Sequence, residues 1–302
     1  METKVQSPRV SIGLPVYNGE RYVSEAIGST CAQTFTDFEL ILSDNGSTDR
    51  TQDICERAAA ADRRIRYIRH GVNRGANWNF RYVFEVARGE YFRWLSADDT
   101  VGPESLACCV EVLDRHSDVV LCYPKTVLVD ASGGVIGSYD DRLNLQCSSP
   151  VERFQTASER IGLVNVHYGL MRADDVRKTR LIMHYPTADI VFLLEMVLRG
   201  KFYEINRPLF YRRMHQGASS NMKGNTQALQ AYFDTSRTDG VGAINWRFLS
   251  DQIKAVFRGP LRLTERARLW YFLLRGAVSG REVYLAELVE LARRTMPRLQ
   301  KL

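Results

Sequence analysis

Two adjacent carboxylates, Asp98 and Asp99, close the run Gly89 to Asp99 (GEYFRWLSADD). Side by side they repel each other unless a cation or a donor-rich ligand joins them, and Mg²⁺-like ions take carboxylate oxygens together with substrate phosphates. A metal-assisted site for a phosphorylated ligand is one use for such a pair; a solvated turn leading into a helix is the other. A further acid, Asp189, precedes Ile190, Leu193, Leu194, Val197 and Leu198 at helical spacing. There a carboxylate suits a cap favoured by the helix dipole. Asp44 lies in the turn-rich run Ser43 to Asp49 (SDNGSTD), and suits an Asx turn or the hydroxyls and base N–H of a nucleoside. Arg212, Arg213 and His215 fall in a polar loop, where an Arg pair and a lone His ordinarily sit in solvent.

The elements that must position these groups alternate. Val10 to Leu14 reads as a strand, Glu20 to about Ala32 as a helix, and Phe38 to Leu42 as a strand. Asp49 with Gln52 makes a capping box for a helix through Ala61. Ile65 to Ile68, Trp78 to Val86 and the aromatic run Tyr91 to Leu95 continue as strand, helix, strand, and Pro103 suits the opening of the next helix. This alternation means a parallel sheet with crossover helices, whose ligands bind at the carboxyl edge of the strands. The loops expected there are polar, with Pro15, Val16 and Tyr17 after the first strand and Asn73-Arg74 after the third. Val119 to Tyr123 and Thr126 to Val129 read as two strands, with a hairpin turn at Ala131 to Gly134. Tyr139 to Pro150 has little periodicity, as expected of a mobile loop over a site. Phe202 to Ile205 and Pro208 to Tyr211 read as two short strands.

Together, the Pro-Val-Tyr-Asn after the first strand, Ser-Asp-Asn-Gly-Ser-Thr-Asp, Arg-Gly-Glu-Tyr running into Ala-Asp-Asp, and the later Asp before an amphipathic helix resemble the family 2 glycosyltransferases of GT-A fold. The resemblance spans about residues 8 to 220. It implies an α/β GT-A domain, a nucleoside-diphosphate-sugar donor, a divalent cation (Mn²⁺ or Mg²⁺), and inverting transfer to a hydroxyl of a glycan or lipid-linked acceptor. By position, Pro15, Val16, Tyr17 and Asp44 would hold the nucleoside, Arg74 and Arg213 the phosphates, and Asp98 the ribose or the metal's surroundings. Asp99 and His215 would ligate the metal, and Asp189 would be the general base. The family's Asp-x-Asp stands here as Ala97-Asp98-Asp99, and the Glu that often precedes the base is Ala188. The Gln-x-x-Arg-Trp motif of the family's polymer synthases is missing, which points to non-processive transfer. A nucleotidyltransferase also uses paired acids and a metal, but its Gly-rich, Arg/Lys-bearing loop is not what Pro15 to Gly19 offers. A catalytically inactive nucleotide-sugar-binding protein is the other alternative.

The composition, 302 residues with 45% hydrophobic and 25% charged content, is that of an ordinary globular protein. Six cysteines without C-x-x-C spacing argue for reduced thiols rather than zinc or disulfides. The opening METKVQSPRV lacks the apolar core of a signal peptide, and no apolar run approaches a membrane span, so a cytoplasmic protein is expected. The charge is uneven: residues from 241 on hold 12 Lys/Arg against 5 Asp/Glu, the preceding ones 29 against 30. That distribution argues against nucleic acid as a partner. It divides the chain into a catalytic domain, residues 1–236, and a basic helical appendage, residues 237–302, joined by a linker at Arg237 to Gly242. In the appendage, helices over Ile244–Phe257, Thr264–Ala277 and Glu282–Arg294 set aromatic residues beside cations, as an anionic membrane surface would require.

Overall fold

The computed structural model describes residues 7–218, 232, 233, 235 and 243–299. Its first half alternates as β1 (Val10–Val16), α1 (Val23–Cys31), β2 (Phe38–Asp44), α2 (Thr51–Ala61), β3 (Ile65–Arg69), α3 (Ala76–Glu85) and β4 (Tyr91–Trp94). The four strands lie parallel in the order β3-β2-β1-β4. All seven residues of β1 are buried, as expected of a strand covered on both faces. Helix α3 comes so close that a Cβ on Gly13 would lie 2.5 Å from Val83 Cγ2. Alternation along β4 sends Phe92 and Trp94 into one apolar core and Tyr91 and Leu95 into the other.

Beyond β4 the sheet is mixed. The order continues β4-β8-β6-β9-β5, with β5 (Thr100–Val101), β6 (Val119–Val129), β7 (Val135–Tyr139), β8 (Leu170–Arg172) and β9 (Lys201–Arg213). β8 runs antiparallel to both β4 and β6, β5 antiparallel to β9, and β7 forms a hairpin with β6. The expectation of a mostly parallel sheet therefore holds for the first four strands, with antiparallel pairs added after them. α4 (Ser105–Arg115), α5 (Pro150–Arg160), a 3₁₀ turn (Asn165–Tyr168), α6 (Ala173–Arg177) and α7 (Ala188–Arg199) complete the sheet domain.

Several local expectations are corrected. β6 is one strand through Pro124, and β9 is one strand through Pro208, because the two pair in parallel along their lengths and absorb both prolines where their register shifts. Pro103 does not open α4, which begins at Ser105; its carbonyl accepts from the Thr34 N–H at 2.8 Å instead. Asp49 and Gln52 form no capping box. Asp49 accepts from Thr51 N and Glu20 N, both at 3.0 Å, and Gln52 donates to Glu56. The stretch after Tyr139 is packed rather than loose, since Leu143 and Leu145 are buried and Leu145 exchanges backbone hydrogen bonds with Phe202.

Among the described residues, three long helices follow: α8 (Ile244–Arg258), α9 (Leu263–Ser279) and α10 (Arg281–Leu299). The first two are seated on the sheet domain, with Val256, Leu261, Leu269 and Leu273 in the same core as α5 and α7. Asp251 of α8 is buried, accepting from Arg180 Nη1 at 2.8 Å and the Tyr185 hydroxyl at 2.8 Å. The expected linker at Arg237 to Gly242 lies outside the described residues.

Candidate active site

Parallel pairing places Val16 opposite Asp44, so the loops after β1 and β2 leave the sheet at one edge. They are tied together there. Asn18 N donates to Ser47 Oγ at 2.9 Å and Asn18 Oδ1 accepts from Thr48 N at 2.8 Å. Asp44 is completely buried; Oδ1 accepts from Ser47 N at 2.8 Å and Oδ2 from the Tyr67 hydroxyl at 2.9 Å. In this conformation Asp44 shapes the loop from beneath. The side chains that reach the surface are Tyr17, about half exposed, and Arg74, whose guanidinium rests 4.6 Å above the Trp78 ring. Pro15 and Val16 are buried at the strand end.

The acidic pair lies between β4 and β5. Asp98 accepts from Ser96 Oγ and shares a 2.9 Å hydrogen bond with His215 Nε2. Burial alone would raise its carboxyl, but these donors outweigh it and hold Asp98 below the usual carboxylate range. Asp99 goes the other way. Burial and the neighbouring Asp98 charge push it well up, although its Oδ1 accepts from Arg213 N at 2.8 Å. The pair is thus short of positive charge at one oxygen set. Among the described residues no group of three or more His, Cys, Asp or Glu side chains converges to cage a metal ion. Asp98, Asp99 and His215 fit a divalent cation only in the mode where one or two carboxylates act together with substrate phosphates.

Adjacent arginines on a strand face opposite ways, and the pair at the end of β9 separates accordingly. Arg213 donates to Glu25 and to the Asp98 carbonyl, and its guanidinium covers the Tyr22 ring at 4.6 Å. It braces the acidic loop and also lines the cavity described below. Arg212 donates instead to the Leu163 carbonyl and to Asn165 Oδ1, and its charge partly offsets the upward shifts of Asp99 and Asp189.

Asp189 is the second residue of α7, and Thr187 occupies the cap position in a left-handed conformation with φ of 68°. Asp189 is therefore not the cap. Its Oδ1 accepts from Ile190 N at 2.9 Å, and burial raises its carboxyl above the ordinary range. A single cavity of about 410 Å³ gathers Asp98, Asp99, Asp189, Arg212, Arg213 and His167 on its walls, within the size of small-molecule sites. A larger open depression of about 780 Å³ between α1 and α2, lined by Arg21, Arg50 and Arg57, holds none of these groups. His167, on the cavity wall, was not singled out from sequence because it sits in a short turn with no periodicity to orient it.

The glycosyl transferase family 2 model matches residues 11–133, from β1 through the acidic pair to the β6–β7 turn. These residues form a family 2 glycosyltransferase domain. This chain is 37% identical over 123 residues to an uncharacterized glycosyltransferase of Rickettsia typhi, covering 40% of this chain and 37% of that protein. An uncharacterized glycosyltransferase of Rickettsia prowazekii is 31% identical over 173 residues, covering 57% and 50%. The chain thus spans half or less of the length of these curated relatives. In three dimensions the S. aureus TarS fragment solved with UDP aligns over 90% of this chain and 72% of its own, with a TM-score of 0.65 at 15% identity. That likeness gives the GT-A fold to the family 2 domain and the elements after it. TarS was also solved with UDP-GlcNAc.

Proposed function

We propose that this protein is an inverting, non-processive glycosyltransferase that moves one sugar from a nucleoside-diphosphate sugar to a hydroxyl of a glycan or lipid-linked acceptor. The observation that carries the reading is that Asp99 and Asp189, far apart in sequence, line one cavity. Asp99 lies beside a second carboxylate, where a divalent cation and a diphosphate relieve the repulsion; Asp189 stands apart from them. When bound, the cation would neutralise the departing diphosphate, with Asp98, Asp99 and His215 at hand to hold it. Tyr17 and Arg74, exposed beyond the ends of β1 and β3, would meet the nucleoside and a phosphate. Arg212 holds positive charge next to the cavity where negative charge develops on the leaving group. Asp189 takes the proton of the acceptor hydroxyl as that oxygen attacks the anomeric carbon from the face opposite the diphosphate. Its raised pKa suits a base that must hold that proton and then release it to solvent.

The acceptor is reached at a membrane in this reading. Leu263, Trp270, Tyr271, Leu274 and Val278 form an exposed stripe along α9, and helical spacing sets Arg262 and Arg266 along one edge and Arg268 and Arg275 along the other. An apolar stripe with cationic borders matches an anionic lipid surface. Pairing two copies of the stripe would bring arginine borders together, which disfavours self-association. No helix among the described residues is long and apolar enough to cross a membrane, so attachment would be peripheral, at the cytoplasmic face.

Incubating the full chain with UDP-, GDP- and dTDP-sugars and Mn²⁺ tests the reading. Release of nucleoside diphosphate, accelerated by a glycan acceptor and yielding a glycoside of inverted anomeric configuration by NMR, is the expected result. Transfer of a nucleotidyl group, or binding without turnover, would favour the nucleotidyltransferase or the inactive binding protein.

A further inference from the structure

The Asn165–Tyr168 turn carries a group that the proposed reaction does not use. His167 is 3% exposed, and neither of its ring nitrogens has a hydrogen-bond partner among the described residues. The imidazole lies nearly flat on Trp94, with centroids 4.5 Å apart and planes 14° from parallel, and meets Phe192 edge-on at 5.6 Å. Trp94 gives it no hydrogen bond, because the indole N–H is donated to the Phe80 carbonyl at 2.8 Å. Burial lowers the imidazole pKa to about 3. The ring is therefore neutral near pH 7, with one N–H donor and one acceptor nitrogen.

Buried polar atoms in folded proteins nearly always have partners, so two without one on a single ring call for an explanation. An ordinary core histidine would turn to bond a neighbour, and this one is held. Arg212 pins the turn through the Leu163 carbonyl and Asn165 Oδ1, and Val164 before it adopts a left-handed φ of 63°, which is costly for a β-branched residue. His167 is also one of the residues lining the 410 Å³ cavity, alongside Asp99 and Asp189. The missing partner is then an occupant of that cavity.

We propose that His167 hydrogen-bonds a hydroxyl of the sugar held in this cavity and so selects which sugar is accepted. A hydroxyl both donates and accepts, so it can pair with whichever nitrogen of the neutral imidazole faces it, protonated or bare; a phosphate oxygen only accepts, and has Arg212 close by. The proposal rests on the reading of the cavity as the place of glycosyl transfer. The hydroxyl can belong to the donor sugar or to the acceptor sugar, and the chemistry at His167 is the same for both.

The test follows the imidazole ¹⁵N signals of the full chain, labelled at histidine, in the presence of Mg²⁺. His167 is assigned by the signals lost in His167→Phe. UDP or GDP alone should leave them in place. Displacement by UDP-GlcNAc, GDP-mannose or dTDP-glucose identifies the donor sugar as partner; displacement by methyl glycosides added with UDP or GDP identifies the acceptor sugar. In parallel, His167→Phe should weaken the sugar ligand by about tenfold while the bare nucleotide binds as before, and His167→Gln should recover part of the loss. If His167→Phe fails to fold, the wild-type shifts and the Gln variant decide. A sugar ligand that binds wild type without moving the His167 signals, and binds the variants equally well, overturns the proposal. If bare nucleotides and sugar nucleotides all fail to bind wild type, the glycosyltransferase reading falls, and this proposal with it.

Discussion

In the proposed reaction Asp189 works only while ionised, and burial has raised the pH at which it loses its proton. The sign follows directly. Above the raised pKa the base is available; as pH falls through it, turnover is lost, so the acid limb of the pH profile lies above the roughly 4 of an ordinary carboxylate. Measured kcat against pH should show that limb in wild type, and a limb at 4 or below would remove Asp189 from the role. Arg212 offers a second residue-scale prediction. Arg212→Met keeps the stem but removes the charge, so donor turnover should fall by about 10²-fold, the scale of losing one stabilising donor at a leaving group. Arg213→Met should instead lower stability, because Glu25 and the Asp98 carbonyl lose their donor; thermal melting and steady-state rates of the two variants separate these outcomes. Asp98, Asp99 and Asp189 were legible in the sequence because each stands at a junction between a strand or loop and the next element. Arg212 and His167 were not, because the way their side chains point depends on strand register and on a turn pinned by distant residues.

At the scale of elements, the first four strands and the helices between them could be read from the alternation of apolar runs and turn formers. The mixed half could not. β6 and β9 keep going through Pro124 and Pro208 only because each supplies the other's hydrogen bonds and the register slips at the prolines, and a partner of that kind is invisible along one segment. Asp251 was equally hidden, since an acid in a basic, amphipathic helix reads as solvent-facing. In the fold it docks α8 through Arg180, which also pairs with Glu195. Asp251→Ala leaves the Arg180 charge half-compensated and the Tyr185 hydroxyl unpaired, and should cost about 3 kcal/mol of unfolding free energy in urea titrations. A change within about 0.5 kcal/mol, the range of ordinary surface substitutions, would mean that the cluster does not hold α8 in place.

At the scale of the whole molecule, the basic tail was legible as charge and helices, while its seating was not. Since Val256, Leu261, Leu269 and Leu273 belong to the core, removing the tail would damage the fold, and membrane attachment is better tested on the exposed stripe. Tyr271→Glu with Leu274→Glu should abolish co-sedimentation with anionic vesicles and leave the melting temperature near wild type; wild-type binding should weaken with salt. Equal recovery on neutral vesicles, or none on either kind, would contradict a membrane role for the stripe. In the proposed reaction two acids of the cavity divide the work. Mn²⁺-dependent donor binding and single-turnover transfer, measured in Asp99→Asn and Asp189→Asn side by side, test this division. Asp99→Asn should lose metal-dependent binding, whereas Asp189→Asn should bind donor as wild type does and transfer about 10²–10⁴-fold more slowly. Unchanged metal dependence in the first variant, or weakened binding with undiminished transfer in the second, would contradict it.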